Sequence, residues 1–174
     1  MAAAGVQKTQ KTVVTHLEML ADPKLHCPYP TGKHVLIRCE KPPLDFYRYL
    51  HGAVGKPHFW ISRQKLSDQA LSAIIHDDQV ELYVLYRAGA PAGFFELDFR
   101  QSPQAELSFL GLVPDAIGRG LGRFLLCEAV SMAWSRNPVR LIVQTCTLDH
   151  PRALPLYQRS GFRPYSRTEV ELEI

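Results

Sequence analysis

The sequence lacks the paired cysteine spacings that mark a structural zinc site or a disulfide-rich domain. No C-x-x-C pair occurs anywhere in its 174 residues, and a zinc site needs such short-range ligand pairs. We therefore expect no metal. Isolated cysteines in a cytoplasmic protein are usually reduced thiols that fill core positions. We expect this of all four cysteines, which are Cys27, Cys39, Cys127 and Cys146.

Long apolar runs and an excess of one charge are also missing. No run approaches the roughly 20 apolar residues that cross a bilayer, and residues 1–11 contain no apolar signal core. The net charge of +3 comes from dispersed residues, so it slightly favours an anionic ligand without forming a nucleic-acid footprint. The sequence predicts one cytoplasmic domain over residues 1–174, flexible at residues 1–11, with neither nucleic acid nor membrane as partner.

Hydrophobic patterns predict strands that alternate with helices, which is typical of an α/β or α+β fold. Two turns, at Gly89-Ala90-Pro91 and Ser102-Pro103, favour an antiparallel meander of three strands. Helices are predicted over residues 43–54, after a cap at Ser67, over 118–135 and over 151–159. Strands are predicted over residues 13–19, 34–39, 80–86, 93–99, 105–112, 141–147 and 169–174.

A glycine-rich turn between a predicted strand and a predicted helix is the first feature that bears on function. It reads Gly118-Arg-Gly-Leu-Gly-Arg123. Glycines allow the backbone to approach a ligand closely, and a helix N-terminus carries partial positive charge. Together with Arg119 and Arg123 they favour a phosphate group. A tight strand-to-helix connection without a ligand would also use such glycines, so both interpretations stay open at this point.

Two familiar phosphate loops do not fit this turn. A Walker A loop needs Lys followed by Ser or Thr after its last glycine, whereas Arg123-Phe124 follows Gly122. A dinucleotide fingerprint needs a third glycine at position 123 and usually opens its domain.

A second motif lies one predicted strand further along, from His150 to Phe162. It reads His-Pro-Arg-Ala-Leu-Pro-Leu-Tyr-Gln-Arg-Ser-Gly-Phe. The two segments, in this order, resemble the GNAT acyltransferase superfamily, and the resemblance covers about residues 105–162. It implies a mixed, mostly antiparallel central sheet flanked by helices, with two parallel strands that splay apart.

The resemblance also implies acetyl-CoA as cofactor and a position for each part of it. The glycine turn would hold the pyrophosphate, the strand before it would pair with the pantetheine arm, and Tyr157 would lie near the thioester sulfur. The implied cofactor-binding residues are Leu110, Gly111, Leu112, Val113, Gly118, Arg119, Gly120, Leu121, Gly122, Arg123 and His150.

The sequence departs from the family pattern at two positions. Ile117 stands where the family has Gln or Arg, and His150 stands where it has Asn. These departures motivate an alternative function, a non-catalytic module that binds or senses acyl-CoA. Transfer of another acyl group, such as succinyl, is a further alternative.

Amine acylation requires polarisation of the thioester carbonyl, a base for the amine and a proton for the departing thiolate. The N–H of Leu112 suits the first task and the phenol of Tyr157 suits the last, although a core packing role is the alternative for Tyr157. Glu106 lies four residues before Leu110, where some members of the family carry a catalytic glutamate, so the resemblance implies that it is the second catalytic residue. Glu96 and Asp98, on one face of the preceding strand, and His150 are further candidates, and a solvated strand face is the alternative for the carboxylates.

The acceptor is predicted to be a primary amine of a small molecule or peptide. Tyr47 and Trp60 belong to an aromatic-rich segment that could line an acceptor site, together with Glu96 and Asp98, whereas simple helix packing would explain the aromatic residues equally well. The resemblance also allows a homodimer.

Overall fold

The computed structural model describes residues 9–173 and places their strands in one mixed sheet. The strand order is β2-β3-β4-β5-β6-β1-β7, and β5 and β6 form the one parallel pair within this sheet. The helices are α1 (Leu44–Gly55), α2 (Asp68–Ile75), α3 (Leu121–Trp134) and α4 (Ala153–Arg159). The strands are β1 (Thr9–Met19), β2 (His34–Cys39), β3 (Val80–Arg87), β4 (Ala90–Asp98), β5 (Gln104–Leu112), β6 (Arg140–Cys146) and β7 (Arg163–Glu173).

The predicted fold class is confirmed, including the meander β3-β4-β5. The hairpin between β3 and β4 turns on Ala88 and Gly89, whose φ angles are 49° and 87°. Two consecutive residues with positive φ match the right-handed twist of an antiparallel hairpin. The predicted cap at Ser67 is also confirmed, since its side chain accepts a hydrogen bond from the N–H of Ala70 at 3.2 Å.

A bulge in β5 creates the opening that carries the candidate site. Glu96 lies opposite Phe109 but Leu97 lies opposite Leu107, so Ser108 is an extra residue in β5. Such a bulge bends a strand and increases its twist. The parallel pairing of β5 with β6 ends at the same place, at Leu107 opposite Val143. Beyond this point the two strands diverge, as the family resemblance implied.

Two hydrophobic clusters cover the two faces of the sheet. One lies under α3 and includes Phe95, Leu107 and Leu125, all of which are fully buried. The other lies under α1 and α2 and includes Leu71 and Phe94. Alternation along β4 sends Phe94 to one cluster and Phe95 to the other. The gap between β5 and β6 therefore lies between two packed hydrophobic layers.

Several predicted boundaries are wrong, and backbone conformation explains the clearest case. Helix α3 begins at Leu121 rather than at Gly118, because Gly118 and Gly120 have φ angles of 83° and 76°, outside the helical region. The last helix begins at Ala153, and β4 begins three residues earlier than predicted. Strand β7 begins at Arg163 rather than at Glu169 because its antiparallel partner β1 extends its pairing to Glu18.

The predicted flexible start, residues 1–11, overlaps the first strand at residues 9–11. Thr9, Gln10 and Lys11 begin β1 and pair with the end of β7. Residues 1–8 lie outside the described part of the chain.

The expectation of four reduced cysteines is wrong for one pair. Cys27 and Cys127 form a disulfide, with their Cα atoms 6.2 Å apart and a sequence separation of 100. Spacing along the chain could not show this pair, because the loop after β1 returns to the side of α3. Cys39 and Cys146 are free, half-buried thiols.

Candidate active site

A cleft of about 360 Å³ opens where β5 and β6 diverge. Its walls come from β5, the glycine-rich turn, the start of α3, the loop after β6, helix α4 and the end of α1 with the loop that follows. The lining residues that the sequence predicted are Trp60, Leu110, Gly111, Leu112, Gly118, Gly120, Gly122, Arg123, His150 and Tyr157. The structure therefore brings together most of the predicted cofactor residues and Tyr157.

The glycine-rich turn presents free backbone donors to this cleft. Within the described chain, the N–H groups of residues 118–123 have no hydrogen-bond partner. A Cβ atom added to Gly118 or Gly120 would meet nothing within 4 Å, so these backbone atoms border open space. Unpaired donors at the N-terminus of a 14-residue helix form a site for an anion.

The two arginines of the turn have different surroundings. Arg123 lines the cleft. Arg119 is not among the lining residues, and its Nε donates a hydrogen bond to the carbonyl of Asp115 at 3.2 Å. Leu121 also does not line the cleft, because its side chain is buried in the cluster under α3.

Beyond its last pair with β6, β5 has a free edge along the cleft. Every second residue of this edge points its backbone N–H and C=O groups into the cleft. Val113 donates its N–H to the carbonyl of Ala92 at 2.9 Å, so this N–H points toward β4. Backbone direction alternates along an antiparallel strand. The N–H groups of Leu110 and Leu112 therefore point toward the gap, whereas Val113, which the sequence also predicted to bind the cofactor, does not line it.

Tyr157 combines burial with access to the cleft. It lies on α4, only 5% of its surface is exposed, and it is one of the lining residues. Burial, together with the nearby carboxylate of Asp149, raises the pKa of its phenol far above the ordinary value. Its hydroxyl forms no hydrogen bond with another residue between 9 and 173. Tyr157 is thus a neutral phenol whose proton is not committed elsewhere in the described chain.

Trp60 and Asp149 connect opposite walls of the cleft. The indole Nε1 of Trp60 donates to Asp149 Oδ1 at 2.9 Å, and Asp149 Oδ2 accepts from Thr145 and from the N–H of Cys146. Gly55 leaves room for the indole, because a Cβ there would lie 2.4 Å from the Cβ of Trp60. Asp149 therefore fixes the turn after β6 and holds Trp60 beside β5, rather than capping α4.

Two histidines line the same end of the cleft, one on each wall. His58 ends a short 3₁₀ helix (Lys56–His58), and His150 follows Asp149. Their ring centroids are 6.4 Å apart. The Nδ1 of His58 lies 3.2 Å from the carbonyl oxygen of Leu148, and the Nδ1 of His150 accepts a hydrogen bond from the N–H of Arg152 at 3.2 Å.

The predicted substrate residues other than Trp60 lie behind the cleft wall. Tyr47 and Glu96 are fully buried, and the Tyr47 hydroxyl donates to Glu96 Oε2 at 2.6 Å. Arg63 forms an ion pair with the other oxygen of Glu96 at 2.6 Å, and its guanidinium lies 5.3 Å from the ring centroid of Phe109, a lining residue. Glu96 is thus committed to internal partners.

Asp98 and Glu106 lie opposite each other on β4 and β5, and neither lines the cleft. Asp98 accepts hydrogen bonds from Arg100 on both carboxylate oxygens. Burial raises the pKa of Glu106, and the negative charge of Asp98 adds to the rise. The structure does not bring Glu106 into the cleft beside Tyr157.

Sequence reasoning missed several lining residues because their signals are weak. His58 is a single histidine in a loop, and nothing in its neighbourhood marks it before the loop meets the turn after β6. Arg152, just before α4, and Arg159, at its end, are basic residues of the second motif, and their charge could have indicated a phosphate-facing position. The lining residues not predicted for the site are Val54, His58, Ser108, Phe109, Ile117, Gln144, Asp149, Arg152, Ala153, Leu156 and Arg159.

The sequence profile of the acetyltransferase (GNAT) family matches residues 45–162, which is more than half of the chain and includes the whole cleft. This chain is a member of that family. No curated protein matches the sequence of this GNAT chain.

Solved structures show the same fold at low sequence identity. A GCN5-related N-acetyltransferase from Sphaerobacter thermophilus superposes with a TM-score of 0.61 at 18% identity, over 95% of this chain and 51% of that one. A tandem GNAT protein from the clavulanic acid biosynthesis pathway gives 0.63 at 16% identity, over 98% and 56%. An aminoglycoside acetyltransferase from an uncultured soil metagenomic sample gives 0.59 at 14% identity, over 73% and 86%. The GNAT chain spans about half the length of the first two.

Among residues 9–173, no helix is long and apolar enough to cross a membrane. In the same part of the chain, no three His, Cys, Asp or Glu side chains are grouped so that they could hold a metal ion.

Proposed function

We propose that this GNAT chain is an N-acetyltransferase that moves an acetyl group from acetyl-CoA to a primary amine of a small molecule or peptide. The observation that carries the proposal is one cleft that contains both N–H donors at a helix N-terminus and a neutral phenol, none of which has a hydrogen-bond partner among residues 9–173. The first suits a pyrophosphate and the second suits a departing thiolate. The amine attacks directly while both substrates are bound.

The groups that line the cleft fit the successive parts of acetyl-CoA in their chemistry. Residues 118–123 and Arg123 supply donors and positive charge for the pyrophosphate. Leu110 and Leu112 supply outward-facing backbone groups for the amides of the pantetheine arm. Arg152 and Arg159 add positive charge on the opposite wall. Acetyl-CoA supplies the reactive thioester when it is bound.

The chain's own groups then handle the charges and protons of the reaction. The N–H of Leu112 stabilises the negative charge that develops on the carbonyl oxygen, since backbone donors that need no reorganisation stabilise such charge strongly. Tyr157 donates its proton to the departing sulfur. The cleft walls limit the access of water to both positions.

The remaining predicted residues keep more indirect roles in the proposal. Glu106 stays a predicted catalytic residue, and from its place behind the wall it can act only through water. Tyr47, Glu96 and Asp98 stay predicted substrate residues. The network of Tyr47 and Glu96 with Arg63 supports Phe109, whose ring lies against Trp60 at the acceptor end. A cytoplasmic location and a homodimer also stay predictions.

The first experiment measures CoA release from acetyl-CoA with tyramine, glycinamide, spermidine, kanamycin and a lysine-containing peptide. Binding of acetyl-CoA is measured in parallel by calorimetry. We expect binding, and CoA release that depends on one class of amine. Binding without amine-dependent release from any acceptor would favour the alternative of an acyl-CoA sensing module. Absence of binding would refute the pyrophosphate site.

Succinyl-CoA is compared with acetyl-CoA in the same assay. A higher kcat/KM with succinyl-CoA would make succinyl, rather than acetyl, the transferred group. The proposed roles of the cleft and its N–H donors would stay the same.

A further inference from the structure

We propose that His58 is the general base that removes a proton from the acceptor amine, and that His150 is a hydrogen-bond donor in the same cleft. This inference rests on the proposed function. It follows from the hydrogen bonds that fix which ring nitrogen of each histidine carries the proton.

The tautomer of neutral His58 is set by a backbone carbonyl. Its Nδ1 lies 3.2 Å from the oxygen of Leu148, and a carbonyl oxygen can only accept a hydrogen bond. The proton of the neutral ring is therefore on Nδ1. The Nε2 atom carries a free lone pair, and it forms no hydrogen bond within residues 9–173. A neutral imidazole held in this way is oriented to accept a proton at Nε2.

The tautomer of neutral His150 is the opposite one. Its Nδ1 accepts a hydrogen bond from the N–H of Arg152 at 3.2 Å, and a backbone N–H can only donate. The lone pair of Nδ1 is thus occupied, and the proton of the neutral ring is on Nε2. His150, a candidate base on sequence grounds, is therefore a donor in this arrangement.

The position of His58 matches the base's task better than that of Glu106. His58 lines the cleft with Tyr157, and Trp60 beside it is held in place by Asp149. Glu106 does not line the cleft. The charged or titratable groups that share the cleft with His58 are Arg123, Asp149, His150, Arg152, Tyr157 and Arg159, and Lys56 lies on its own short helix.

The proton and electron balance of the step is complete. Nε2 of His58 takes one proton from the acceptor's ammonium, which leaves a neutral amine. The amine lone pair forms the C–N bond, the C–S bond breaks with its electron pair on sulfur, and Tyr157 protonates that sulfur. The new amide nitrogen returns its extra proton to Tyr157, and His58 releases its proton to water. The net products are the amide, CoA and one proton.

The direct test reads the tautomers without any turnover. Long-range ¹H–¹⁵N spectra of this chain, labelled with ¹⁵N-histidine, at pH 7.5 distinguish Nδ1–H from Nε2–H rings. The signals are assigned by their loss in His58→Asn and His150→Asn. We expect an Nδ1–H ring for His58 and an Nε2–H ring for His150. An Nε2–H or doubly protonated ring for His58 would overturn the assignment.

The kinetic test uses the panel amine with the highest turnover. Asparagine can keep a donor near Leu148 but has no basic nitrogen, so His58→Asn should lower kcat/KM at least about a hundredfold. The decrease of kcat/KM toward low pH that comes from protonation of the base should also disappear, while acetyl-CoA affinity stays within about twofold. His16→Asn, on β1 away from the cleft, is the matched control and should behave as the unaltered protein does.

Other outcomes separate this inference from the proposed function. An unaltered protein that binds acetyl-CoA but never acetylates an amine would end both. Turnover with an unchanged pH profile in His58→Asn would overturn the role of His58 alone. If the acid decrease disappears in Glu106→Gln instead, Glu106 is the base.

Discussion

Tyr157 owes its chemistry to the place where α4 buries it. A phenol whose pKa lies far above its ordinary value stays protonated at neutral pH, so it can donate a proton but is not an anion. Its ring packs against Phe162 in an edge arrangement with centroids 5.8 Å apart. This contact fixes the ring, and therefore the hydroxyl, on the wall of the cleft.

Replacing the hydroxyl alone tests this role. We expect Tyr157→Phe to lower kcat about a hundredfold, the usual size of a lost general acid, and to leave the Kd for CoA within about twofold. Steady-state kinetics and calorimetry give the two numbers. An unchanged kcat with every accepted amine would remove Tyr157 from the mechanism, and a comparable loss of CoA affinity would instead assign it to binding.

The residues at this site differ in how far sequence could reveal them. Tyr157 and Gly120 belong to local motifs whose spacing carries their meaning, so they were predictable. His58 and Asp149 acquire their roles only when the loop after α1 meets the turn after β6, and no local pattern encodes that contact. Glu96 was visible as a carboxylate on a strand, but its partners, the buried Tyr47 and the partly buried Arg63, come from α1 and the following loop.

Helix α3 supplies the cleft with an N-terminus whose first N–H donors have no partner in the described part of the chain. Within its first turns, Arg123 lines the cleft, and Arg119, just before the helix, is bonded to the carbonyl of Asp115. The two arginines carry the same charge and lie four residues apart, so they form a natural pair of test and control.

We expect Arg123→Ala to weaken CoA binding about tenfold and Arg119→Ala to weaken it less than threefold. A hydrogen bond to a charged group contributes about 1.5–3 kcal/mol, and an exposed charge contributes far less. Calorimetric titration with CoA measures both variants. Dephospho-CoA provides a further comparison, because it tells the 3′-phosphate from the pyrophosphate. Equal effects of the two substitutions would contradict the placement of the phosphates at Arg123.

The bounds of helices and strands were predicted well where the hydrophobic pattern determines them. They were predicted poorly where pairing with another strand determines them. The bounds of β2 follow from its apolar residues. Most residues of β7 are exposed, so its first half carries no hydrophobic pattern, and only its pairing with β1 makes it a strand. The bulge at Ser108 is likewise a property of two strands together, although it decides where the cleft opens.

A disulfide between Cys27 and Cys127 joins two distant parts of the fold, the loop after β1 and helix α3. We expect two alkylated thiols, Cys39 and Cys146, when unfolded protein is treated with iodoacetamide without a reductant, and four after reduction. Mass spectrometry counts them. We also expect reduction to lower the melting temperature, because a crosslink over such a loop typically contributes 2–4 kcal/mol. Four alkylated thiols without reductant would refute the pairing.

His51 links the stability of the whole fold to pH. It is fully buried on α1 between Phe109 and Trp60, and its Nε2 has no hydrogen-bond partner within residues 9–173. Burial, with a contribution from the positive charge of Arg63, lowers its pKa from 6.5 to about 4. The unfolded chain therefore binds a proton at this site between about pH 6.5 and pH 4, and the folded chain does not.

This difference makes the fold less stable as the pH falls through that window, and the stability is fully present above it. The expected loss from His51 alone is roughly 2–3 kcal/mol between pH 7 and pH 4.5. Urea unfolding at the two pH values measures it. His51→Phe keeps an aromatic ring against Phe109 and Trp60 but cannot titrate, so its loss between the two pH values should be smaller by that amount. The carboxylates titrate in both proteins and cancel in this comparison, so an equal loss in the two would show that folding does not lower the pKa of His51.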